Sequence, residues 1–254
     1  MDKECQAKEK RIERRILWRF YEQTKQTDMK ILNEDYRDVI TKLDKKNTLI
    51  VTDPPYNIGW KYDKYKDNIS DEEYSNLFKP FKGYKFVVIH YIEDIIKYIV
   101  PIMGVPTKCV QWVYNSHLKK QHRTIAFFNC KPDFTKVTQP YKNLNDKRIL
   151  AEIAKGKKGC SIYDWWNIDL VKNVSSEKED YFNQIPEEVI ANIIKISAEK
   201  NDIIFEPFMG SGTTPAVASK LNYKYLATDI SKKAFDITTK RINKVENNLF
   251  NVIS

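Results

Sequence analysis

The chain has 254 residues, enough for one large domain with a buried core or for two small ones. Hydrophobic residues make up 42% and charges interrupt every apolar run, so a soluble globular protein is expected rather than a membrane-spanning one; the charged start MDKECQAKEKRIERR excludes a secretory signal and makes the cytoplasm the default location. Lys and Arg number 43 against 34 Asp and Glu, a formal charge of +9, which favours a polyanionic partner such as nucleic acid.

Residues 5–25 predict a charged helix, because Ile12, Ile16 and Phe20 recur every four residues as a narrow apolar stripe. From residue 30 strand and helix patterns alternate. MKIL and TLIVT (48–52) read as strands. Ser70-Asp71-Glu72-Glu73 has capping-box spacing and opens a helix toward Phe78. KFVVIHY (85–91) is a strand, 92–100 a helix, and CVQWVY (109–114) and TIAFFNC (124–130) are strands rich in β-branched and aromatic residues. Such alternation predicts an α/β fold with a largely parallel, doubly wound sheet.

Residues 131–183 break the pattern. They carry Pro132, Pro140, the cluster Tyr163, Trp165 and Trp166, and six Lys/Arg against two Asp/Glu between 141 and 160. An insertion on the α/β frame is expected there. PEEVIANIIKISAEK (186–200) returns to a helix with Pro at its first position. DIIFEPF is a strand, 214–221 a helix and KYLATDIS a strand. The expected units are a charged helix (1–29), a first half (30–130), the insertion (131–183) and a second half (184–254).

Metal chemistry has little support in this pattern. Cys5, Cys109, Cys130 and Cys160 form no C-x-x-C pair and read as reduced thiols, and His117 and His122 are five apart, not the four that puts two ligands on one helix face.

Two stretches carry chemistry. In VTDPPYNIGW (51–60) a strand runs into Asp53, two prolines and Tyr56. Prolines cannot extend a hydrogen-bond ladder, and a carboxylate at a strand end is costly unless it faces a polar cleft. In EPFMGSGTTPAVASKL (206–221) a strand, a Gly-x-Gly turn and a helix form the ligand-binding edge of a doubly wound sheet. Gly210 and Gly212 are two of only seven glycines. They let a ligand approach the backbone, and the helix start offers N–H donors. Asp229 ends the next strand 23 residues after Glu206, a distance at which an acid can bind ribose hydroxyls. Pro215 stands where a third glycine would complete a dinucleotide fingerprint, and no Lys follows the turn as in a Walker A loop. A nucleoside-type cofactor without a long phosphate tail remains, and S-adenosylmethionine fits.

Asp53-Pro54-Pro55-Tyr56 together with Phe208-Met209-Gly210-Ser211-Gly212-Thr213 resembles the amino-group DNA methyltransferases, in the order of the permuted β class. The likeness covers roughly residues 30–245. It implies a Rossmann-like methyltransferase sheet with an inserted target-recognition region, and methyl transfer from S-adenosylmethionine to an exocyclic amino group of a flipped base in double-stranded DNA. Asp in the first position points to N6 of adenine more than N4 of cytosine. The resemblance assigns Asp53, Pro54, Pro55 and Tyr56 to catalysis and Asp35, Asp53, Glu206, Phe208, Gly210, Ser211, Gly212, Thr213 and Asp229 to the cofactor. It makes a dimer reasonable and leaves a cognate restriction endonuclease open as a partner. Trp60, Lys61, Lys64 and Lys66, next to the catalytic motif, and Lys155, Lys157 and Lys158, in the insertion, are the candidate DNA contacts. In two places the chain departs from the family: Ile185 replaces the usual Lys before Pro186, and Glu206 replaces the usual Asp. No cysteine follows a proline, which excludes C5-cytosine chemistry. N4-cytosine transfer and a non-catalytic subunit that keeps the fold stay open.

Overall fold

The computed structural model describes residues 29–116 and 119–253. The charged helix expected over 5–25 lies outside them. Eight strands form one sheet in the order β1-β10-β9-β2-β3-β5-β4-β8. In chain order these are β1 (Met29–Leu32), β2 (Thr48–Thr52), β3 (Lys85–His90), β4 (Lys108–Val113), β5 (His122–Phe128), β8 (Trp165–Asn167), β9 (Ile203–Glu206) and β10 (Lys224–Thr228). The short pair β6 (Thr138–Gln139) and β7 (Cys160–Ser161) stands apart. Only β5 runs against its neighbours in the main sheet, so the expectation of a largely parallel sheet holds.

Both faces of the central strands are covered, as runs such as TLIVT require. Successive side chains point to opposite faces. Leu49, Val51, Val87 and Ile89 therefore pack on one side with helices α5 (Glu187–Ser197), α6 (Thr213–Lys220) and α7 (Lys232–Ile253). Ile50, Phe86 and Val88 pack on the other with α1 (Tyr36–Ile40), α2 (Asp71–Asn76) and the helical segment α3 (Ile92–Asp94, Ile95–Ile99, Val100–Met103). The capping box is present at α2, where Ser70 and Glu73 bond each other's backbone N–H groups. Segment α3 passes from α through π to α around Pro101, which has no N–H to give. Pro186 is the cap residue of α5, one position ahead of the expected first turn.

The segment 131–183 differs from the expectation of a plain insertion. It contains helix α4 (Lys147–Ala154), but it also returns to the main sheet, where β8 pairs in parallel with β4. Alternation along this strand buries Trp166 and leaves Trp165 exposed. Trp166 gives its indole N–H to the Tyr163 carbonyl, which satisfies its polar atom inside the core. No helix among the described residues is long and apolar enough to cross a membrane.

Candidate active site

The two motifs, 150 residues apart in sequence, meet because β2 and β9 are neighbours and run in parallel. Their carboxyl ends lie side by side, so the chain leaving β2 as Asp53-Pro54-Pro55-Tyr56 borders the loop leaving β9 as Pro207–Gly212. A buried bond ties the two ends: the Thr52 hydroxyl donates to Glu206 Oε1 at 2.6 Å. Thr214 Oγ1 donates to Glu206 Oε2 at 2.8 Å, and the Phe208 N–H to Oε1 at 3.1 Å. Burial pushes the Glu206 carboxyl up to about 8 despite these donors. No cation is among the groups that act on it, so burial favours its protonated form near neutral pH. Glu206 lines the cavity, but its oxygens are engaged in holding β2, β9 and α6 together.

Asp53 keeps 21% of its side chain exposed, toward the cavity. The Tyr56 hydroxyl donates to its Oδ1 at 2.5 Å. Arg123 Nη1 lies 3.6 Å from its Oδ2. Tyr56 stacks on His90, with ring centroids 4.2 Å apart. His90 Nδ1 accepts the Tyr91 N–H at 2.8 Å, so the ring proton sits on Nε2, 2.7 Å from the Tyr74 hydroxyl. Tyr74 in turn donates to the Pro55 carbonyl at 2.6 Å. Burial, with help from the nearby Arg123 and Lys120, holds His90 down at about 3. It is therefore a neutral relay that pins the catalytic turn, and its nearness to Asp94 at 3.4 Å is not an ion pair. Nothing in the sequence singled out this Tyr91–His90–Tyr74–Pro55 chain, whose members come from the cap of α3, β3, α2 and the turn.

The loop after the motif is organised by Asp67. This buried carboxylate accepts the N–H groups of Asn57 (2.7 Å), Ile58 (3.1 Å) and Trp60 (2.9 Å). Asn57 exchanges two bonds with Ile69 and closes the loop base. Trp60 and Tyr62 pack on Phe182, and Phe182 stacks on Tyr181, so the loop meets the segment before α5 in an aromatic cluster. Lys61 and Lys66 face each other across an antiparallel bridge.

On the other side, the Gly210 N–H donates to Asp229 Oδ2 at 3.0 Å, and the Ser231 N–H to Oδ1 at 2.9 Å. Burial raises the Asp229 carboxyl above its ordinary range, against these two bonds. Gly210 has φ +45°, and a Cβ there would lie 3.1 Å from Tyr181, so both its conformation and its neighbour call for glycine. Gly212, at φ +74°, has a second packing demand on it. It does not line the cavity; a Cβ there would meet Thr238 Oγ1 at 2.6 Å, so its missing side chain serves the packing of α6 on α7. Buried Arg241 donates to the Ser211 carbonyl and to Thr213 Oγ1, both at 3.0 Å, and pairs with Glu187 at 2.9 Å. This unforeseen residue ties the loop to the start of α5.

One cavity of about 300 Å³ gathers these parts. It is lined by Asp53 to Tyr56, Trp60 and Lys64, by Asp35, by Tyr181 to Asn183 and Ile185, and by Glu206 to Ser211, Thr213 and Asp229. Asp35 caps α1 and is already forked by Arg37, which holds its carboxyl below the usual range. Lys61 and Lys66 do not line the cavity, nor do Lys155, Lys157 and Lys158. The last group is also less free than a basic run suggests, since Lys155 and Lys157 both pair with Glu152 beyond the helix end while Lys158 is exposed.

Comparison with known proteins matches residues 81–240 to the N6/N4 methyltransferase family, described as DNA methylase. The chain belongs to the N6/N4 DNA methylases. The methylase is 29% identical over 244 residues to the Type II methyltransferase M.BglII of Bacillus subtilis, covering 82% of this chain and 67% of that protein. It is 26% identical over 222 residues to M.HpaI of Haemophilus parainfluenzae, covering 77% and 68%. In fold it is similar to the PvuII DNA methyltransferase described as cytosine-N4-specific, with a TM-score of 0.61, 16% identity, and 89% and 93% of the two chains covered. It is also similar to M1.HpyAVI in its complex with SAM, with a TM-score of 0.51, 21% identity, and 84% and 99% covered. S-adenosylmethionine is the methylase's cofactor, and the cavity fits it chemically. Its lining mixes acids with Arg37, Lys64 and Arg123, and among the acids Asp63 and Asp229 offer carboxyl groups suited to an ammonium group and ribose hydroxyls.

Two outcomes are expected. Replacing Asp67 with Ala orphans three backbone donors and loosens the loop. Methyl transfer should fall by about 100-fold with an unchanged far-UV spectrum, because misplacement by about 1 Å costs that much. The second concerns Glu206. Its folded-state pKa lies above its unfolded value, so the stability it contributes is full below about pH 4.5 and is lost as pH rises toward 8. Denaturant unfolding of the wild type and Glu206→Gln should therefore diverge between pH 5 and pH 8.5, the wild type losing on the order of a few kcal/mol relative to the variant. A pH-independent difference would mean the carboxyl is ionised in the fold.

Proposed function

We propose that the protein methylates the N6 amino group of adenine in double-stranded DNA at a specific sequence, with the target base flipped into the cavity described above. The observation that carries this reading is the Asp53-Pro54-Pro55-Tyr56 turn opening into the same cavity as Gly210 and Asp229.

An exocyclic amino group is a poor nucleophile because its lone pair is delocalised into the ring. Asp53 accepts one of its N–H bonds and the Pro54 carbonyl the other, which aims the nitrogen and favours the positive charge that develops on it. The bound cofactor supplies an electrophilic methyl group. Transfer would join the amino nitrogen to that methyl group as its bond to sulfur breaks, and Asp53, accepting one amino N–H, would be placed to take the proton released. Positioning and electrostatics carry the step. The Tyr56 hydroxyl takes one lone pair of Asp53 Oδ1, and the carboxylate keeps further acceptor sites for the amino group. His90 stacks on Tyr56, the Arg123 guanidinium carbon lies 5.2 Å from its ring centre and Tyr91 meets it edge-on, so base stacking is assigned to what those three leave open, worth at most roughly 1–3 kcal/mol by analogy with other base–aromatic contacts. Asp229 is assigned to the ribose hydroxyls. Its two observed bonds leave lone pairs on both oxygens. Trp60 and Lys64, at the cavity edge, are assigned to holding the flipped strand. Lys158 and the exposed Trp165 of the 131–183 segment are assigned to contacts outside the cavity.

Incubation with unmethylated DNA and S-adenosylmethionine, followed by nucleoside mass spectrometry, should show N6-methyladenine. With Asp53→Ala the signal should drop by at least about 100-fold while cofactor binding persists. N4-methylcytosine instead would keep the site and move the substrate, and no methylation would sink the reading. Asp229→Ala should weaken cofactor binding about 10-fold by calorimetry, the value of one hydrogen bond to a charged group. An unchanged Kd would remove Asp229 from the ribose role.

A further inference from the structure

Arg123 was not among the residues the motifs marked. It stands near the start of β5, opposite Trp112 on β4, and lines the cavity. Its side chain is 12% exposed. The guanidinium carbon lies 5.5 Å from the Trp112 ring centre and 5.2 Å from that of Tyr56. Its Nε is shielded and has no hydrogen-bond partner. A buried cation with an unused donor is costly unless its charge is wanted where it sits.

We propose that Arg123 is a positioning residue for methyl transfer, its guanidinium serving as the counter-charge that keeps the Asp53 carboxylate an acceptor aimed at the target amino group. This rests on the reading of Asp53 given under the proposed function. The two Asp53 oxygens are held by different groups, Oδ1 by the Tyr56 hydroxyl and Oδ2 by Arg123 at 3.6 Å. That separation is a charge contact rather than a hydrogen bond. Arg123 stays beside Oδ2 whether or not the Tyr56 hydroxyl stays on Oδ1. The aromatic rings hold the guanidinium in place without neutralising it.

The other groups that act electrostatically with Asp53 are Glu206 from β9 and the tyrosines Tyr56, Tyr62, Tyr74 and Tyr114. Burial raises all four phenols, which keeps them neutral, and pushes Glu206 up to about 8, so none of these groups brings positive charge to Asp53. Arg123 is the cation acting on Asp53 among the described residues. Burial raises the Asp53 carboxyl, and Arg123 and then Tyr56 oppose that rise. Without Arg123, Asp53 should be protonated at a pH where the wild type carries a carboxylate. A protonated acid cannot balance positive charge on the amino nitrogen.

The test compares the wild type with Arg123→Met, Arg123→Gln and Arg123→Lys in two readouts. The first is kcat/KM for DNA methylation against pH. The acidic limb should move up by roughly 1–3 pH units in the Met and Gln variants, the usual reach of a charge at this distance. Activity should fall at neutral pH and recover in alkali, and the Lys variant should stay near the wild-type limb. The second readout is independent of activity. Carboxyl-13C aspartate labelling, with Asp53→Asn to assign the signal, should show the Asp53 titration moving in the same direction. Cofactor affinity should stay within about two-fold. A folded Met or Gln variant with an unmoved limb and an unmoved Asp53 titration overturns the proposal. A wild type that methylates no base overturns the transfer reading, and the carboxyl titration then decides by itself whether Arg123 charges Asp53.

Discussion

The parallel pairing of β2 with β9, closed at its carboxyl end by the Thr52–Glu206 bond, is the contact on which the site depends. It joins residues 154 apart in sequence and has almost no exposure to water. Parallel strands present all their carboxyl ends at one edge, and a ligand at that edge sees loops from several strands at once. Here the β2 loop brings acceptors for a reacting nitrogen and the β9 loop brings backbone and carboxylate for a cofactor. A shift of register between the two strands would part the halves of the site while leaving each motif intact.

Around that contact, the catalytic turn is restrained from several directions, each by a different kind of interaction. Tyr74 and the neutral His90 hold its backbone from beneath. Asp67 gathers the N–H groups of the loop that follows it. Arg123 sets the charge beside Asp53, and Arg241 ties the glycine loop to Glu187. These partners come from separate elements, so the site is rigid through its surroundings rather than through its own short sequence. Two prolines leave the turn with few donors of its own, which makes outside support necessary. Burial acts on the acids in this region in one direction, and what separates Asp53 from Glu206 is a cation. Asp53 has Arg123, while Glu206 has only hydroxyls and an N–H.

The central fold was legible because its strands are short, apolar and buried on both faces, and its helices carry clear periodicity and caps. The capping box at Ser70 and the left-handed glycines at 210 and 212 are local chemistry, and local chemistry can be read along a chain. Gly212 shows where that reading stops. Its left-handed backbone is local, but the close approach of Thr238 from a distant helix, which also calls for glycine, is not legible along the chain. The segment 131–183 was harder, because β8 is three residues long and its alternation, Trp165 out and Trp166 in, is visible only once β4 lies beside it. The basic run holds local pairing that composition does not describe, since Lys155 and Lys157 both pair with Glu152 at the end of α4.

By itself the sequence determined the family, the two motifs and their order, because these rest on residue types whose chemistry is specific: an acid before two prolines, and glycines between a strand and a helix. It could not determine Arg123, His90, Tyr74 or Arg241. Each is an ordinary residue in an ordinary local pattern, and its role comes from distance, burial and the absence of competing charges. Those are properties of a low-dielectric interior assembled from remote parts of the chain, and only the tertiary structure creates it.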